Sequence, residues 1–230
     1  MHPVLNGIIT VAYATALAGG AGIGVSVGVT ADHQAFSWIT AVMAGFGLLY
    51  GLIAACVESY DFARPSGWLL MLVDFTWSLP NTALGFVVQL VYIFFGHPSA
   101  QLSRGYGWIA YKPWTTSQAF GNSVLQTVGT VCLGGAGAHE LVHLLQARIL
   151  GPLYIPLVIA NYVVNFLIQV LWTGLIGWIL YLAGVRRTAY FCPPSTSAVG
   201  GGNASSGAAN FFGWIYHSTL IELWAYGTEH

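Results

Sequence analysis

Charge is the scarcest commodity in this chain. Of 230 residues only 6% are charged, while 56% are hydrophobic. A soluble domain carries about 25% charged residues, so an aqueous surface cannot be covered, and the chain reads as integral to a lipid bilayer. The formal net charge of −1 offers no basic face for a polyphosphate and excludes a nucleic-acid partner. Cysteine is nearly absent too. Cys56, Cys132 and Cys192 stand alone, with no C-x-x-C pair, which excludes a disulfide framework and a thiolate zinc site. The N-terminus, MHPVLNG, has no basic n-region, so the first apolar segment reads as a retained membrane span rather than a cleaved signal.

What is present is a series of apolar runs. Residues 3–29 and 35–57 are each long enough to cross a bilayer. Along the first, Ala12, Ala16, Gly20, Gly24 and Gly28 recur every four residues, which predicts a small-residue face for close helix packing. Residues 58–66 read as an exposed loop. Residues 67–96 are apolar but interrupted by Asp74, Ser78 and Pro80, which predicts either a kinked span or two half-helices meeting near Pro80. Asp74, ionisable at membrane depth, is a candidate to orient a ligand histidine, or else pairs locally. From 97 to 120 aromatic and basic residues mix (Arg104, Tyr106, Trp108, Tyr111, Lys112, Trp114), the pattern of a headgroup-zone surface segment. Residues 153–184 form the longest apolar run, with Asn161, Asn165, Gln169 and Thr173 at four-residue intervals. That stripe must face protein or a wet cavity.

The expected fold is therefore all-α, a polytopic transmembrane helix bundle of about four to six membrane segments with a surface aromatic loop and a C-terminal tail. Residues 1–192 form the transmembrane domain, with a motif helix over 136–150. Residues 193–210, PPSTSAVGGGNASSGAAN, form a flexible linker. Residues 211–230 form an apolar C-terminal segment.

The chemistry-bearing stretch is HELVHLLQAR, residues 139–148. His139 and His143, four apart, share one face of a helix, so one metal ion can touch both imidazoles. Glu140 lies alongside, placed to take a proton from water activated by the ion. Gln146 falls on the histidine face, three residues past His143. A catalytic zinc needs a third protein ligand, and Glu222, within ELWAY at 222–226, is the choice.

These residues resemble the gluzincin metallopeptidases, in which H-E-x-x-H is followed downstream by E-x-x-A. The membrane-embedded CAAX-processing and HtpX-like proteases are the nearest in kind. The resemblance rests on His139, Glu140, His143, Glu222 and Ala225, and Tyr226 stands where the family carries aspartate. It implies Zn2+ on His139, His143 and Glu222, Glu140 as general base, and His217 or Tyr216 as oxyanion donor. It implies a multi-pass integral membrane metallopeptidase acting on peptide bonds. The competing reading from composition is a non-catalytic subunit of a larger membrane complex of respiratory or photosynthetic type, packed against other membrane subunits. A transporter built on Asp74 and the Asn161 stripe is the third.

Overall fold

A computed structural model of the chain describes residues 1–30, 32–93, 96–112, 126–133, 137–184 and 207–228. The expected linker at 193–210 falls almost entirely outside them, as does Trp114. The fold is helical, with one small sheet among the described residues. Three helical stretches are long and apolar enough to cross a membrane: Pro3–Val29, His33–Cys56 and Ala138–Leu180. The chain divides into two units, Met1–Pro152 and Leu153–His230.

The first unit opens with α1 (Pro3–Val29) and α2 (His33–Cys56). Pro3 suits a first helical turn, where its missing N–H is no loss, and the Asp32 carboxylate caps α2 by accepting from the Gln34 amide at 2.9 Å. The two helices pack through small residues. Asn6, Thr10, Ala14, Ala18, Gly22 and Ser26 are buried on α1, and Gly47, Tyr50, Gly51 and Ala54 on α2. A Cβ at Gly47 would strike the Ala14 carbonyl and the Ala18 methyl, so glycine there sets the spacing. The face expected from sequence is not the one used: Ala12, Ala16, Gly20, Gly24 and Gly28 are all exposed. Two small-residue stripes run along α1, two positions and so about 200° apart. The buried stripe is the one bearing Asn6, Thr10 and Ser26, polar groups that need partners away from water. Thr10 donates to the Asn6 carbonyl at 2.8 Å and Ser26 to that of Gly22 at 2.7 Å.

The loop after α2 is not the simple exposed turn expected. Ser59, Tyr60 and Phe62 are buried. The Asn6 side chain holds the segment, donating to the Tyr60 carbonyl at 2.8 Å and accepting from the Phe62 amide at 3.0 Å. Next come α3 (Pro65–Phe75) and α4 (Leu79–Tyr92), two short helices with Pro80 in the first turn of the second. The two-half-helix alternative is thus the one adopted.

After the short helix α5 (Ala100–Ser103), a three-stranded sheet forms from β1 (Ile109–Ala110), β2 (Gln126–Val128) and β3 (Val131–Leu133) in the order β1-β3-β2. Ile109 pairs in parallel with Val131. Thr127 pairs antiparallel with Cys132, through a turn where Gly129 has φ +57°. The headgroup-zone expectation fails here. Trp108 and Tyr111 are fully buried, and the Trp108 indole donates to the Leu102 carbonyl at 2.9 Å. Strand pairing satisfies the backbone, so these aromatics serve as core. Among the described residues of that group, Arg104, Tyr106 and Lys112 are exposed. The unit ends with α6 (Ala138–Leu150), the motif helix.

In the second unit α7 (Tyr154–Leu171) runs through a π-helical turn at Trp172–Gly177 into α8 (Trp178–Leu182), and α9 (Gly207–His217) and α10 (Leu220–Gly227) follow. The polar stripe of α7 bonds backbone at the α9–α10 break. Asn165 donates to the Ile215 carbonyl at 3.1 Å, and Asn161 accepts from the Leu220 amide at 3.1 Å. The stripe therefore works as interhelical glue in place of the wet path also envisaged.

Candidate metal centre

Helix α6 is fixed from its C-terminal side. Arg148 grips Asp74 with both arms, Nε to Oδ1 at 2.8 Å and Nη2 to Oδ2 at 2.7 Å, the two side chains being 10% and 0% exposed. Arg148 also donates to the Gly107 carbonyl at 2.7 Å. The Tyr60 hydroxyl donates to Asp74 Oδ2 at 2.8 Å and lies 3.0 Å from the Tyr50 hydroxyl. Burial first, then the Asp74 charge, raises the Tyr60 phenol well above its ordinary range. Of the two roles open to Asp74, orienting a ligand histidine or pairing, it takes the second: the Arg148 guanidinium on α6 holds its carboxylate. A buried carboxylate favours the partner that neutralises it.

The last turn of α6 has orphan carbonyls, as every helix does, and the α3–α4 junction supplies their donors. Ser78 Oγ and Asn81 Nδ2 both donate to the Ala147 carbonyl at 3.0 Å. Asn81 Nδ2 reaches the Gly151 carbonyl at 2.8 Å, and the Trp77 indole donates to that of Ile149 at 3.1 Å. Gly151, φ +54°, ends the helix where a Cβ would strike the Trp77 ring. In the sequence Ser78 marks only an interruption of the apolar run. That it and its neighbours cap a helix some 70 residues away had no sequence signal.

The first turn of α6 carries the motif. It starts at Gly137 with no side-chain cap. His139 Nε2 and His143 Nε2 lie 3.1 Å apart, with the rings edge-to-face at 86°. Two nitrogens bound tetrahedrally at 2.0–2.1 Å from zinc are separated by about 3.3 Å, so the pair needs little movement to share an ion. His143 is buried, and its Nδ1 lies 2.9 Å from Oε1 of the fully buried Gln146. Glu140 is only 5% exposed, and its Oε2 has no hydrogen-bond partner among the described residues. A buried carboxylate oxygen left unpaired is costly, and it stands one residue from His139. The donor set and this orphaned oxygen fit a divalent cation with a basic group beside it.

The sheet closes the other side of this turn. Thr127 Oγ1 donates to the Glu140 carbonyl at 3.3 Å. Burial, and behind it the Glu140 charge, pushes the Cys132 thiol up to about 12, partly offset by a hydrogen bond with Thr127. Thr127 and Cys132 were missed from sequence because nothing local ties a three-residue strand to a helix ten residues on.

The remaining predicted residues belong to the second unit. Glu222 is buried in the first turn of α10, where its amide donates to the Thr219 hydroxyl at 3.3 Å. Its carboxylate is hydrogen-bonded with the Tyr216 hydroxyl. Burial foremost, and then the Glu222 charge, raises the Tyr216 phenol far above its ordinary value. His217 Nδ1 lies 3.1 Å from the Tyr226 hydroxyl, so the tyrosine at the family's aspartate position still contacts a polar residue. His139, Glu140, His143 and Gln146 thus gather on one helix of the first unit, and Tyr216, His217, Glu222 and Tyr226 gather in the second. Comparison with known proteins found no matching family model, no similar curated protein and no similar solved structure.

Proposed function

We propose that the chain is a multi-pass membrane metallopeptidase that holds Zn2+ through His139 and His143 and hydrolyses peptide bonds. The observation that carries the reading is the 3.1 Å separation of the two Nε2 atoms, in the same helical turn as a buried Glu140 whose Oε2 has no hydrogen-bond partner among the described residues. Bound there, zinc would bring the pKa of a water to about 7 and polarise a substrate carbonyl. Glu140 Oε2 accepts the proton of the attacking water and later returns it to the departing amine. Metal content of the purified protein, read with peptide hydrolysis by wild type and Glu140→Gln, tests this. One equivalent of zinc in both, with hydrolysis lost in the variant, is expected. Zinc at full occupancy with equal hydrolysis in both would sink the peptidase. His139→Ala with unchanged zinc content would sink the site.

A second reading, a non-catalytic subunit of a larger membrane assembly, is favoured by one observation. The outward stripe Ala12, Ala16, Gly20, Gly24 and Gly28 is a helix-packing face with nothing within 4 Å of a Cβ at Gly20, Gly24 or Gly28. Its test is extraction in mild detergent: this reading requires co-purification of fixed partners that Gly24→Leu releases.

A further inference from the structure

Gln146 does more than fill the histidine face. The Oε1 of a carboxamide can only accept, so the 2.9 Å contact with His143 Nδ1 requires the hydrogen on Nδ1. A neutral imidazole has one N–H, which leaves the lone pair on Nε2, the atom 3.1 Å from His139 Nε2. We propose that Gln146 is a positioning residue that locks His143 in the Nδ1–H tautomer and so keeps Nε2 open to a cation. The proposal deepens the metallopeptidase reading and rests on it for the identity of the bound ion.

Three features support it. Gln146 is 0% exposed, so packing restricts its rotamers and the acceptor cannot swing away. It is three residues past His143, so one helix turn carries both ligand and its support, without a distant loop. And it is neutral. Metal-bound histidines are often backed by a carboxylate, but the carboxylate nearest in type, Asp74, is held by Arg148. A carboxylate at 146 would add an unpaired negative charge within a candidate membrane span. An amide supplies the acceptor without that charge.

The test uses the full-length protein in lipid with histidine ring nitrogens labelled with 15N. The metal-free protein reports the tautomer, and the His143 signals are assigned by difference against His143→Gln. Wild type should show Nδ1–H at His143. Gln146→Leu should shift the proton toward Nε2, and Gln146→Glu, which keeps an acceptor, should restore Nδ1–H. Co2+ affinity should fall about 10- to 100-fold in Gln146→Leu, the usual loss when such a support is removed, and recover in Gln146→Glu. Gln146→Asn, which stays polar but withdraws the acceptor, takes the place of the leucine variant if that one does not fold. An Nε2–H tautomer in wild type, or a tautomer indifferent to Gln146→Leu and Gln146→Asn, overturns the proposal. If wild type binds no Co2+ yet the tautomer follows residue 146, the metal reading fails while the role of Gln146 stands.

Discussion

The two ends of α6 obey opposite rules. At the C-terminal end the carbonyls of Ala147, Ile149 and Gly151 each accept from a side chain of the α3–α4 junction, and a bidentate buried ion pair pins Arg148. At the N-terminal end Gly137 offers no side-chain cap, and one carboxylate oxygen of Glu140 is buried without a hydrogen-bond partner among the described residues. Natural cores seldom leave polar groups unpaired. When one end of a helix is over-satisfied and the other under-satisfied, the second end is where a ligand has something to complete. The clamped end holds the histidine-bearing end in register.

That contrast can be broken from either side. The largest effect is expected at the clamp. Arg148→Met alone strands a fully buried Asp74 and should lower stability by about 3–5 kcal/mol, read from thermal or denaturant unfolding in detergent, whereas Arg148→Met with Asp74→Leu should recover most of it. Asn81→Ala comes next: the Ala147 and Gly151 carbonyls lose their amide donor, at about 2 kcal/mol by the same measurement. Thr127→Val removes the long hydrogen bond to the Glu140 carbonyl and the contact with the Cys132 thiol, and should lower stability by about 1 kcal/mol. Smallest of all, Glu140→Gln removes a buried charge that has no hydrogen bond on Oε2, so stability should hold or rise slightly. Native-state hydrogen exchange sharpens the comparison: amides of the last turn of α6 should be protected far more than the first-turn amides at 138–140. Equal protection at the two ends would dissolve the distinction.

How much of this was written in the chain varies with the range of the interaction. The helical membrane class followed from the scarcity of charge, and the motif helix from its i, i+4 histidines, its glycine stop and Gln146 on the histidine face. Local spacing is enough for such features. Alternatives whose outcome depends on distant partners were harder. On α1 both stripes are built of small residues, and only the polar needs of Asn6, Thr10 and Ser26 choose between them. The aromatic string around Trp108 has the composition of an interface belt, yet β3, some twenty residues later in sequence, turns it into core by pairing. Asp74 stands out in the sequence as ionisable within an apolar run, but nothing local links it to Arg148, 74 residues later, so the pair between them went unseen. The site residues split the same way: the histidine pair and Gln146 are a local matter, while Thr127 and Cys132 reach Glu140 only through the sheet.

Cys132 gives the small sheet a consequence for experiment. Its thiol is fully buried on β3 and reluctant to ionise, whereas Cys56 is exposed. A thiolate-seeking reagent should therefore label Cys56 at once and reach Cys132 only during transient openings. Timed alkylation followed by peptide mass measurement then becomes a clock for how often the wall beneath Glu140 comes apart, and a ligand seated on the histidines should slow that clock.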